Sequence, residues 1–265
     1  MPSGGPLRVF ITGASSGIGA ALARHYAHEG AVVGLVARRK DALTQLAAEL
    51  NVRCTVHAAD VRDAAALAQA ARDFVTAHGT PDIVIANAGV SRGTLTRHAE
   101  DTTVFRDILD VNVLGLVNTF QPFVEPLIRN GDGTLVGIAS VAGFRGIPGT
   151  GAYAASKAAA ITYLESLRVE LRGSGVRVIT ICPGYIATPM TAHNPFPMPF
   201  IIGADAAAMK IARVIRHGKT FAIIPWQMAI LGRIHRALPR VIFDRIFSRT
   251  PRKPRGVEGS GEDSA

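Results

Sequence analysis

Leu7-Arg-Val-Phe-Ile-Thr12-Gly13-Ala-Ser-Ser-Gly17-Ile-Gly19 is the stretch on which the reading of the whole chain turns. A short apolar run, Leu7–Thr12, has the composition of a buried strand. Three glycines follow in the spacing G-x-x-x-G-x-G, and Ser16–Glu29 then carries a helical pattern. Glycine allows a tight turn and a close approach of backbone to ligand. The helix start adds free N–H groups and a positive dipole end, which suit a pyrophosphate. The spacing differs from the commoner G-x-G-x-x-G dinucleotide fingerprint, and a glycine turn by itself also fits a plain loop.

The rest of the chain supplies the context. Strand-like runs at Ala31–Val36, Arg53–Ala58, Pro81–Ala86, Gly133–Ser140, Val176–Cys182 and Thr220–Ile224 alternate with helical stretches. Those stretches are Asp41–Leu50, Asp63–His78, roughly Asp101–Arg129, and Ala152–Arg172. Such alternation predicts an α/β fold, a parallel sheet with helices on both faces and ligands at the strand C-terminal edge. Gly13, Asp60, Asn87, Ser140 and Pro183 all fall at that edge. No internal repeat or second domain is visible, and 265 residues suffice for one well-buried core.

Composition narrows the class. Apolar residues at 48% and charged residues at 18% fit a globular enzyme rather than a disordered chain. Cys54 and Cys182 lack metal-ligand spacing and read as two buried thiols in a reducing compartment; no metal is expected. Met1–Pro6 has no signal-peptide pattern, and no apolar run is long enough to span a bilayer, so a cytoplasmic location is expected. The net charge of +9 is concentrated in residues 226–255, which carry eight Lys/Arg against Asp244 alone. That placement gives no reason to expect nucleic-acid binding.

The end of the second strand, Val36-Ala37-Arg38-Arg39-Lys40, bears on the cofactor. NAD sites usually place an acid there for the ribose 2′-OH. Here Ala37 occupies that place and three bases follow, which predicts NADP(H) ahead of NAD(H). Arg38 is expected to be the main contact to the 2′-phosphate and Arg39 the second. Asp60 is a candidate for the adenine amino group, or else the N-cap of the helix near Asp63.

Tyr153 and Lys157, at i and i+4, share one helix face. A nearby ammonium favours the phenolate and lowers a tyrosine pKa, so Tyr153 is expected to exchange a proton with a carbonyl or alcohol oxygen. Ser140 could hydrogen-bond that oxygen, and Lys157 could also hold ribose hydroxyls.

At this point the chain closely resembles the short-chain dehydrogenase/reductase family. The matching motifs are Thr12-Gly-Ala-Ser-Ser-Gly-Ile-Gly19, Asn87-Ala-Gly89, Asn112, Ser140, Tyr153-Ala-Ala-Ser-Lys157, and Pro183-Gly184 with Thr188. The resemblance implies a Rossmann-type doubly wound sheet of about seven strands in a single domain. It implies a catalytic tetrad of Asn112, Ser140, Tyr153 and Lys157, the asparagine holding a water that links the lysine to solvent. Cofactor contacts are implied at Gly13, Ser15, Ser16, Gly17, Ile18 and Gly19. Further contacts are implied at Val61, Ala88 and Gly89 beside Asp60 and Asn87, and at Pro183, Gly184, Ile186 and Thr188 around the nicotinamide. Two departures stand out. Ala86 replaces the first asparagine of the usual Asn-Asn-Ala-Gly. Ser16 stands where many NADP-dependent members carry a base.

The expected function is NADP(H)-dependent interconversion of a carbonyl and a secondary alcohol. A 3-oxoacyl-thioester reductase and a non-catalytic NADP(H)-binding sensor or scaffold are the alternatives. Residues 189–202 match the family's substrate lid, and their prolines, phenylalanines and methionines suggest an apolar substrate. Phe144, Arg145 and Ile147 are further candidates to line the pocket, whereas His193 reads as an exposed loop residue. The catalytic domain is read as residues 1–225, followed by a basic amphipathic helical extension at 226–255 and a disordered tail from 256 to 265. In that extension Ile230, Ile234 and Leu238 form an apolar stripe, with Arg233 and Arg236 elsewhere. The stripe fits packing over the pocket or a partner subunit, and it also fits peripheral contact with a membrane surface. The resemblance further implies a homo-oligomer, dimer or tetramer, built through the helices that carry Asn112 and Tyr153.

Overall fold

Seven parallel strands form one sheet in the computed structural model, which describes residues 5–248 and 250–256. They are β1 (Arg8–Thr12), β2 (Val32–Ala37), β3 (Cys54–Ala58), β4 (Ile83–Ala86), β5 (Gly133–Ile138), β6 (Val176–Pro183) and β9 (Phe221–Ile224). Their order is β3-β2-β1-β4-β5-β6-β9. Every residue of β2, β4 and β5 is buried, as a parallel sheet covered on both faces requires. The edge strand β3 is only half-buried, so Cys54 is half-buried while Cys182 is fully buried.

Helices α1 (Gly17–His28) and α2 (Lys40–Leu50) pack on one face through residues such as Leu22 and Leu43. On the other face lie α3 (Ala64–His78), α5 (Gly115–Asn130) and α6 (Gly151–Glu170). Phe10 of β1 meets Phe74 and Phe123 edge-on there, at ring separations of 5.5 and 4.8 Å.

The helix expected over roughly 101–129 is continuous in path but not in hydrogen bonding. An α-helix, α4 (Asp101–Leu109), widens into a π-helical turn at Asp110–Leu114 before α5 begins. Asn112 lies in that turn; such insertions often sit at functional sites.

The sequence reading missed α8 (Ala204–Arg216). Its buried positions Ala207, Ala208, Ile211, Ala212 and Ile215 recur at helical spacing, but the alanines make the stripe faint. Two short strands, β7 (Ile186–Ala187) and β8 (Ile202–Gly203), pair with each other and pin both ends of the predicted lid. Between them only α7 (Pro189–Ala192) is helical.

The C-terminal segment forms α9 (Gln227–Ala237) and α10 (Arg240–Phe247). The inward face of α9 is not the predicted stripe. Met228 is buried and Gly232 abuts Phe144, whereas Ile230 and Ile234 are exposed. Phe144 and Arg145 do not line the pocket as expected. Phe144 stacks on Phe221, while Arg145 lies over the Phe243 ring at 3.8 Å and donates to the Leu238 carbonyl at 2.8 Å. Both therefore hold the extension against the sheet edge, and Ile147 forms the turn into α6 through its carbonyl. The predicted tail lies, beyond Gly256 itself, outside the described residues, as do Arg249 and the side chain of Arg236. No helix among the described residues is long and apolar enough to cross a membrane.

Candidate active site

The glycine turn is shaped by contacts that exclude side chains. Gly13 has φ +66°, and a Cβ there would come within 2.7 Å of the Ala88 Cα. A Cβ on Gly19 would strike the Gly13 carbonyl and reach 2.6 Å from Asn87 Nδ2. Gly19 therefore serves as a packing position beneath the turn, whereas Gly13, Ser15, Ser16, Gly17 and Ile18 line the cleft above it. Asn87 laces the end of β4 to this turn. Its Nδ2 donates to the carbonyls of Thr12 and Gly13, both at 3.1 Å. Ser16 is the N-cap of α1 but makes no side-chain capping bond, which leaves the first amides of the helix open to an anion.

The cleft has a volume of about 480 Å³ and runs along the strand ends. Ala37, Arg38, Asp60 and Val61 line one end. Ala88 and Gly89 line the middle, beside Asn87. Arg39 meets the cleft only through the wall residue Ser15. It is exposed at the start of α2 and donates to Ser15 Oγ at 3.3 Å. Asp60 is not a helix cap, because Asp63 fills that place by accepting from Ala66 N at 3.0 Å. Instead Arg62 pairs with Asp60 at 2.6 Å and holds its carboxyl below the usual carboxylate range. A glycine turn with open helix amides, continued by a cleft lined by Arg38 and Asp60, fits a dinucleotide.

At the other end stand Ser140, Tyr153 and Lys157. Ser140 follows β5, and its Oγ accepts from Ala142 N at 3.1 Å and donates to the Pro183 carbonyl at 3.4 Å. Lys157 is buried, and its Nζ donates to the Ile138 carbonyl at 2.9 Å. Burial pulls its pKa down to about 8. Tyr153 departs from expectation. Burial raises its pKa, with the hydrogen bond to Ser140 acting in the opposite direction. The Lys157 ammonium lies 5.9 Å from the centre of the tyrosine ring.

Asn112 lies outside the cleft wall. Its Oδ1 accepts from Val90 N at 2.8 Å, and its Nδ2 donates to the Val90 carbonyl at 3.0 Å and to Ser156 Oγ at 2.9 Å. It fixes the strand of chain that follows Gly89, next to Lys157: a Cβ on Gly89 would lie 3.2 Å from Asn112 Oδ1 and 3.5 Å from Lys157 Nζ. Pro183, Gly184, Ile186 and Thr188 line the same end, and Thr188 faces Gly17 across it. His193, read as a loop residue, is exposed yet borders the cleft with Met190 and Asn194.

Sequence reasoning missed the residues that arrive from the C-terminus. Lys253, Pro254, Arg255 and Gly256 line the cleft together with Ser91 and Arg92. Nothing local in Pro251-Arg-Lys-Pro-Arg255 marks them, and the burial of Asp101, which Arg255 meets at 2.9 Å, is visible only in the structure.

Comparison with known proteins identifies the family and the fold. A family model described as short chain dehydrogenase matches residues 8–196. An "uncharacterized oxidoreductase" of Myxococcus xanthus (strain DK1622) is 40% identical over 242 residues, covering 90% of this chain and 95% of that one. An alcohol dehydrogenase from Thermococcus sibiricus, solved with 5-hydroxy-NADP, superposes with TM-score 0.74 at 28% identity, over 83% of this chain and 96% of that one. A Burkholderia phymatum short chain dehydrogenase/reductase solved with NAD gives TM-score 0.80 at 23% identity, over 96% and 99% of the two chains, a likeness of fold.

Proposed function

The chain belongs to the short-chain dehydrogenase family and is an oxidoreductase, and from that premise we propose that it interconverts a carbonyl and a secondary alcohol with NADP(H). The observation that carries this reading is the meeting of Ser140, Tyr153 and Lys157 in the one cleft that also holds the glycine turn and Arg38. NADP(H), when bound, would supply or accept the hydride. Tyr153 gives its phenolic proton to the carbonyl oxygen in reduction and takes it back in oxidation. Ser140 Oγ donates to the same oxygen and steadies its growing charge. Lys157 positions the ribose hydroxyls and, tied to the Ile138 carbonyl, stays beside Gly89. Asn112 holds the Val90 backbone in register, so that the wall opposite Tyr153 stays fixed. Arg38 takes the 2′-phosphate, with Arg39 behind it at the Ser15 hydroxyl. Met190 on the lid offers an apolar surface to the substrate body.

A panel of aldehydes, ring ketones, long-chain ketones and a 3-oxoacyl thioester, run with NADPH and with NADH, tests the reading. The expected result is carbonyl-dependent oxidation of NADPH, faster than of NADH. Cofactor binding without turnover of any carbonyl or alcohol would transfer support to a sensor or scaffold role.

Two surfaces extend this reading. The outer faces of α4, the π-turn and α6 expose Phe105, Leu114 and Val169, and they serve as the subunit contact of a homo-oligomer. The outward face of α9 and α10 exposes Trp226, Ile230, Ile234, Val241, Ile242 and Ile246, flanked by exposed Arg233, Arg240 and Arg245. Apolar side chains ringed by arginine match an anionic bilayer surface. Co-sedimentation with vesicles rich in phosphatidylserine, but not with phosphatidylcholine alone, is the expected behaviour, lost in Ile230→Glu/Ile234→Glu. If that double variant instead changes the oligomeric state and the intact protein ignores both vesicles, the face belongs to a second copy.

A further inference from the structure

Beyond α10 the chain turns back over the cleft and is held there at several points. Gly93 N donates to the Pro254 carbonyl at 2.9 Å, and Gly256 N to the Gly93 carbonyl at 3.1 Å. Arg255 binds Glu100 at 2.7 Å and Asp101 at 2.9 Å, and the Asp101 side chain is 3% exposed. Asp101 also accepts from Leu95 N at 2.7 Å, so the strap, α4 and the segment after Ser91 share one carboxylate. On the other side, a Cβ on Gly149 would come 3.0 Å from Arg252 Cβ, and Thr94 bridges to Thr150, the residue that opens the helix of Tyr153. The strap therefore runs between the chain after Gly89 and the start of α6, the helix that carries Tyr153.

Within the strap, Lys253 turns inward. Its Nζ donates to Ser91 Oγ at 2.9 Å, and it lines the cleft with Ser140 and Tyr153. No carboxylate among the described residues pairs with it. The neighbouring cations differ in this respect, since Arg92 is engaged by Asp107 at 2.8 Å and Arg255 by Asp101. A half-buried ammonium needs a counter-charge or good hydrogen bonds, and a single serine hydroxyl supplies little of either.

We propose that residues 250–256 form the substrate-side wall of this cleft and that Lys253 selects a carbonyl or alcohol substrate bearing a negatively charged group. The inference rests on the carbonyl/alcohol reading above and narrows its substrate class to amphiphilic molecules, with an apolar part against Met190 and an anion at Lys253. Burial lowers the Lys253 pKa to about 8, so its charge is present below that pH and lost above it.

The test uses the full chain with NADPH bound and reads the nicotinamide fluorescence during titration. The probes are 4-methylbenzoate and its methyl ester, which carry no aldehyde or ketone for NADPH to reduce. The wild type is expected to bind the acid more tightly than the ester. Lys253→Met should weaken the acid by about tenfold, the scale of one charge-assisted hydrogen bond, while changing the ester little. Lys253→Arg should keep the preference. In the wild type the preference should fade as pH rises through about 8, and in Lys253→Met it should be flat, which separates Lys253 from the similarly shifted Lys157. No preference for the acid in the wild type, equal loss of both probes, or loss of NADPH affinity in place of acid affinity each overturns the proposal. Because binding is measured, these outcomes are distinct from a failure to find any reductase activity.

Discussion

Replacing Tyr153 with phenylalanine is expected to lower turnover by about 10²- to 10⁴-fold, the range over which a positioned acid or base accelerates a reaction. The ring and its packing in α6 are kept, so thermal stability and NADPH affinity should stay close to wild type. The pH profiles of the intact protein should differ between directions. Burial raises the Tyr153 pKa, so the phenol keeps its proton across the neutral range. Carbonyl reduction, which consumes that proton, should be flat there and fall only at high pH. Alcohol oxidation, which needs the phenolate, should rise with pH. Stopped-flow single turnovers in both directions check this, and near-wild-type turnover in Tyr153→Phe would remove the residue from the acid–base role.

Arg38→Ala is expected to weaken NADPH by about 10- to 100-fold, as the loss of a charge-assisted pair to phosphate implies, with NADH little changed. Ala37→Asp should act in the same sense by a different cause. Ala37 is buried at 6% exposure and lines the cleft beside Arg38, so a carboxylate there would face the 2′-phosphate as a like charge and the 2′-hydroxyl of NADH as an acceptor. The double variant should therefore prefer NADH. Isothermal titration with both dinucleotides measures this directly. Equal losses for the two would show that Arg38 does not read the phosphate.

Local sequence carried the parts of this molecule that depend on neighbours along the chain. A strand followed by G-x-x-x-G-x-G admits few backbone shapes, and the structure places Gly13 at positive φ and Gly19 against the Gly13 carbonyl. The central strands β2, β4 and β5 were legible because a doubly covered sheet demands apolar runs. Tyr153 and Lys157 could be paired on a helix face from spacing alone. The same spacing rule misled on α9. It found an apolar stripe at Ile230 and Ile234 but could not say which way it faced, and the structure turns Met228 and Gly232 inward instead. The sign of the Tyr153 pKa shift was misjudged for a related reason. Proximity of Lys157 was readable, while the burial that dominates it depends on the whole surrounding packing.

What the sequence determined by itself is the strand–turn–helix cradle, the parallel sheet and the cast of side chains at its C-terminal edge. Each follows from sterics, periodicity or charge within a few residues. Only the tertiary structure decided how the cleft is closed. Lys253 meets Ser91 across 162 residues and Arg255 meets Asp101 across 154. Contacts at such separations leave no local pattern, because their energy comes from desolvated charges that acquire partners only once the fold has brought the C-terminal segment against the chain after β4.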